Sequence, residues 1–135
     1  MKNQVLSVEQ MKHLQKLGVD TSKAKMSWYA IYETLPNWYN ELNIRDDVFD
    51  KNYPSVPTFT LQDILEMIPK TILFKEEVYH FEMLKGNERY TIGYSRVNDD
   101  NDLESYIVIT ESNILTCAYE TLCWLVRNKY IGGEK

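Results

Sequence analysis

Apolar positions recur at helical spacing in three stretches of the chain and at strand spacing in most of the remainder. In Leu6-Ser7-Val8-Glu9-Gln10-Met11, Ser7 can cap the free N–H groups of a helix while Gln10 reaches back and Leu6 staples onto Met11. Val8, Met11, Leu14 and Leu17 form one apolar stripe, and Gly18 supplies a left-handed stop. The same grammar returns at Phe59-Thr60-Leu61-Gln62-Asp63-Ile64. Thr60 caps, Asp63 answers three residues later, and Ile64, Leu65 and Ile68 face inward until Pro69 ends the regular turn. A third helix starts at Ser112-Asn113 and turns Ile114, Leu115, Ala118, Leu122, Leu125 and Val126 inward. Asn128 is its stop, and Tyr130-Ile131 folds back on the final turn. The first two segments share capping chemistry only; the sequences between them do not match, so no repeat is implied.

Strand spacing begins in Met26-Ser27-Trp28-Tyr29-Ala30-Ile31-Tyr32. Trp28, Ala30 and Tyr32 share one face, and Tyr29, Ile31 and Glu33 share the other. This arm is apolar on both faces, as suits an inner strand. Pro36-Asn37 is turn chemistry. Beyond it Trp38, Leu42 and Ile44 oppose Tyr39, Glu41, Asn43 and Arg45, with a short helix over Asn37 to Asn43 as the alternative. Asp46 to Pro57 reads as a long polar connection. A hairpin follows: Tyr79, Phe81 and Met83 alternate with His80 and Glu82, Lys85-Gly86-Asn87-Glu88 turns, and Tyr90, Ile92 and Tyr94 return. Tyr106-Ile107-Val108-Ile109 is a continuous apolar run, as in a covered strand.

The order αββαβββα with hairpin connections predicts an α+β two-layer sandwich. An antiparallel sheet of about five strands would carry three helices on one face. At 135 residues this is one domain spanning 1–135, large enough for a continuous core.

Charge narrows the partners. The net charge is −5, whereas duplex nucleic-acid binding depends on Lys and Arg neutralising phosphates. The acidic excess is local, with Asp99, Asp100, Asp102, Glu104 and Glu111 inside Asn98 to Glu111 and no base among them. The amino terminus has no signal-peptide core, and no run reaches the ~18 apolar residues of a membrane span. Cytoplasmic residence is the expectation. Cys117 and Cys123, six apart on one helix, point to different sides and cannot bridge within it, which predicts buried reduced thiols.

Candidate chemistry is sparse. His13 and His80 are the only histidines, and neither has ligand spacing; surface histidines are the simpler reading, and no metal or cofactor is expected. Asn98-Asp99-Asp100-Asn101-Asp102-Leu103-Glu104 invites a calcium reading, but the loop glycine is missing in either frame, which leaves a solvated acidic turn. No nucleophile elbow or phosphate-cradling glycine loop is present. No catalytic residue is assigned.

Ten Tyr, three Trp and four Phe remain. Tyr79, Phe81, Tyr90, Ile92 and Tyr94 supply the sheet face beneath the helices, and Trp28 and Trp38 belong to the core. Tyr29 and Tyr39, with Arg45 on the same face, are placed on the sheet side without helices. There they would form a surface for a protein partner or a second copy. The alternatives are a single-stranded nucleic-acid module stacking bases on that aromatic face and a small-molecule enzyme without a recognisable motif.

SVEQMKHLQKLGVDTSKAKMSW, PTFTLQDILEMIPKTI and AYETLCWLVRNKYI, which together lie on all three predicted helices, resemble a group of small uncharacterised proteins of gut Bacteroides-type bacteria, often encoded near phage or other mobile-element genes. The resemblance implies a bacterial intracellular protein with an accessory role in a prophage. It carries packing motifs, and no activity or catalytic residue comes with it.

Overall fold

Both anticipated N-terminal capping boxes form. Ser7 Oγ accepts the Gln10 N–H at 3.1 Å while the Gln10 side chain accepts the Ser7 N–H at 2.9 Å. Thr60 and Asp63 make the same reciprocal pair at 3.1 and 3.0 Å. The computed structural model describes residues 4–30, 41–44 and 54–131, and these fall into two compact units, one in Met1–Asp63 and one in Ile64–Gly132.

In the first unit, α1 (Val8–Lys16) buries Met11 and Leu14. It ends in a Schellman motif: Gly18 at φ 94° donates to Gln15 O, and Val19 donates to Leu14 O. Three short strands follow, β1 (Met26–Tyr29), β2 (Glu41–Ile44) and β3 (Ser55–Thr58), in the antiparallel order β2-β1-β3. Trp28 pairs with Leu42 on one side and Val56 on the other. All four β1 residues are buried, as the two-sided apolar pattern requires of a central strand. The Leu6 carbonyl ties this sheet to the start of α1, accepting Trp28 Nε1–H at 2.8 Å and Thr58 Oγ1–H at 2.6 Å. The second helix, α2 (Leu61–Met67), follows the Thr60 cap.

The second unit is a meander of β4 (Thr71–Phe74), β5 (Glu77–Lys85), β6 (Tyr90–Val97) and β7 (Leu103–Glu111), hydrogen-bonded in that order. The last helix, α3 (Ile114–Arg127), packs on β6 and β7. Asn113 caps α3 by accepting the Thr116 N–H at 3.0 Å. Its C-terminus repeats the α1 ending, except that the left-handed position is Lys129, at φ 65°.

The class is α+β, with antiparallel sheets and three helices among the described residues. Two details differ from expectation. Among the described residues the strands number seven and divide into sheets of three and four rather than joining one sheet of about five. The additions are β3, inside the supposed polar connection, and β4. Pro57 hid β3, yet proline is tolerated there because β3 is an edge strand. The turn after β4 hid that strand: Lys75 and Glu76 both adopt positive φ without the Asn or Gly that marks such turns. Glu41–Ile44 is strand, which settles that part of the strand-or-helix alternative; the remaining positions, with Tyr39 and Arg45, lie outside the described residues.

Candidate interaction surface

Tyr29 is not on an uncovered face. It is 0% exposed, because β1 lies between two neighbours and is covered on both sides, so in this fold its ring cannot meet a partner. Trp28 is in the core as anticipated, beside Val5 and Met26 with Leu42 packed against them. Trp38 and Tyr39 fall outside the described residues, as does Arg45.

The four-stranded sheet separates its side chains as pleating demands. The face beneath α3 takes the aromatics. Phe74 stacks on Tyr106 at 4.1 Å, Tyr106 meets Trp124 of α3 edge-on at 5.5 Å, and Trp124 stacks on Tyr130 at 5.5 Å. Phe81 and Tyr94 meet edge-on at 6.0 Å across β5 and β6. The Tyr94 hydroxyl, pushed up in pKa by burial, donates to Pro69 O at 2.6 Å. Cys117 and Cys123 are both buried as thiols. Burial raises both thiol pKa values, and Cys117 donates to Ile109 O at 3.2 Å.

The reverse face is built differently. Registers place Leu73 opposite Val78, Glu82 opposite Gly93, Gly93 opposite Val108, and Val97 opposite Leu103. Six large apolar side chains of this sheet, Leu73, Val78, Leu84, Val97, Leu103 and Val108, are 47–64% exposed, and register and alternation put all six on this face. Four of its hydroxyls pair with one another across strands: Thr91 with Thr110 at 3.2 Å and Ser95 with Ser105 at 3.2 Å. A depression of about 150 Å³ opens there, lined by Gly93, Ser95, Leu84, Leu103 and Val108 among others. Gly93 makes room for it. A Cβ at this position would lie 2.6 Å from Ile107 O, so no larger residue fits without moving β7.

At one end of the sheet Arg96 bridges three strands, bonding Glu77 at 2.9 Å and Glu104 at 2.7 Å. Asn98 organises the acidic turn: its side-chain oxygen accepts the N–H groups of Asp100 and Asp102, both at 2.9 Å, and its amide donates to Glu104. The hydrogen bond from Asn98, then that from Arg96, holds the Glu104 carboxyl below its ordinary pKa. Among the described residues no group of three His, Cys, Asp or Glu could hold a metal. His13 sits on α1 and His80 on β5, in different units. His80 shares the reverse face with Ser95 and Glu82, but Ser95 bonds Ser105 instead, and a nucleophile needs its base within hydrogen-bond reach.

Sequence reasoning missed the reverse face of the sheet. The signal was Val and Leu at outward-alternating positions, above all Leu84 beside the hairpin turn and Val108 in the run read as a covered strand. β7 is an edge strand, and Val108 stands 51% exposed. No helix among the described residues is long and apolar enough to cross a membrane. Comparison with protein-family models, with curated proteins and with solved structures yields no match.

Proposed function

We propose that this chain is a non-catalytic interaction module, an accessory protein of bacterial or prophage origin, that binds protein through the reverse face of the β4–β7 sheet. One observation carries the reading: six large apolar side chains, each about half exposed or more, are gathered on one side of one sheet. Single exposed apolar residues are ordinary, whereas several large ones gathered on one face mark a contact surface. The face has no Phe, Tyr or Trp among its strand positions and His80 is its one ring, so stacking of successive single-stranded bases has no extended platform there.

A photo-crosslinking amino acid at position 108, in the cells that make the protein, tests the reading. Covalent adducts to a defined protein are expected from position 108, and none from position 12 on exposed α1. Absence of adducts at both 108 and 84 would remove it.

A further inference from the structure

We infer that the occupant of this face is a second copy of the same chain, the two β4–β7 sheets packing face to face about a two-fold axis. The inference rests on the proposal that this face is a contact surface, and names the partner. Three properties of the face support it.

The first is charge. Among the strand positions on this face Glu82 is the one carboxylate and His80 the one imidazole, and no Lys or Arg is present. Four of its serine and threonine hydroxyls are turned to each other in pairs. An acidic partner would find no Lys or Arg here, and a basic one a single carboxylate, Glu82. The matching surface has to be largely apolar with few charges, as this face is itself.

Relief is the second. A two-fold interface requires one patch to be complementary to itself. This patch holds projections and a recess together: Leu84 and Leu103 stand proud beside the depression over Gly93 and Ser95. At about 150 Å³, the recess matches a cavity known to take a benzene-sized group, so one leucine side chain fits.

Area is the third. With strands ~4.8 Å apart and rising ~3.3 Å per residue, the face measures roughly 450–500 Å² in projection and about 600 Å² once side-chain relief is included. Two copies then bury roughly 1,200 Å², the lower end of specific, stable interfaces. Two antiparallel sheets packed ~10 Å apart are an ordinary sandwich core. An interface at this lower end belongs with the weak, reversible class, and we take micromolar dissociation as its working range.

The test is sedimentation equilibrium of the full chain between ~1 and ~200 µM, a range set by that expected affinity. The wild type should pass from the monomer mass towards twice that mass. Leu84→Thr/Val108→Thr, which keeps good strand formers, should weaken the dimer by at least about a hundredfold with an unchanged circular dichroism spectrum. Independently of any substitution, a mixed-labelled wild-type sample should show intermolecular contacts among the methyls of Leu84, Leu103 and Val108. A wild type that stays monomeric at the top concentration overturns the dimer and leaves the contact-surface proposal to its crosslinking result. A dimer that gives no such methyl contacts, or keeps its affinity in the double variant, uses another surface and overturns the inference too.

Discussion

Replacing Gly93 by alanine tests at once the packing of the four-stranded sheet and the origin of the depression on its reverse face. The added Cβ would lie 2.6 Å from the Ile107 carbonyl oxygen, with Val108 Cγ2 at 3.4 Å and Val108 Cα at 3.5 Å. Carbon–oxygen contacts between strands ordinarily run ~3.3–3.6 Å, so β7 must retreat by most of an ångström, and the offending atom is backbone that cannot rotate away. Overpacking of this kind costs ~1–3 kcal/mol. Against it, alanine restricts the unfolded chain and returns ~0.4–1 kcal/mol. The net expectation is a loss of about 1–2 kcal/mol, or a melting temperature lower by roughly 4–8 °C. Urea unfolding followed by circular dichroism should show a lower midpoint at unchanged slope, and amide exchange should quicken first along the β6–β7 ladder. Gly86→Ala is the control: its nearest neighbour is Arg89 O at 3.8 Å, and its effect should be close to zero. An unchanged or raised midpoint for Gly93→Ala would refute the close-approach argument.

Lys129→Gly should stabilise the protein by about 0.5–1 kcal/mol, because Lys129 holds at φ 65° the position that Gly18 fills in the matching motif of α1; thermal melting measures it. Glu104 should titrate below the ordinary Glu range near 4.3 in a carbonyl NMR titration. Since its native pKa is depressed, the stability it contributes is complete above the unfolded-state value and is lost as pH falls through the lower native one. Asn98→Ala should move that midpoint back up, and no movement would contradict the assigned cause. Cys117 and Cys123, both buried with raised pKa values, should react with a thiol reagent at least ~100-fold more slowly in the native protein than in denaturant, as a time course of labelling would show.

The three helices were legible to within a residue or two at their starts. Ser7, Thr60 and Asn113 bond to N–H groups three residues away, and so short a range leaves its mark in any short window of sequence. The β5–β6 hairpin was legible for the same reason, its register running from Lys85 opposite Tyr90 to His80 opposite Ser95. Trp28 in the core followed from a strand apolar on both sides. Tyr29 obeys the same pattern, and its assignment to an open face went against what that pattern already said.

Alternation along a strand divides side chains into two sets; it does not say which set is covered. Leu84, Val97, Leu103 and Val108 are as apolar as many core residues, and nothing adjacent in sequence distinguishes them. Their exposure follows from α3 folding back on one side of β6 and β7, which brings Cys117 to the Tyr90 carbonyl, 27 residues away. Strand sharing is non-local in the same way: Ser55–Thr58 becomes a strand because β1 offers it an open edge, despite Pro57. Capping and periodicity act over three or four residues and could be read from the chain; the choice of covered face is made only when distant segments meet, so the surface proposed for partner binding came from the tertiary structure alone.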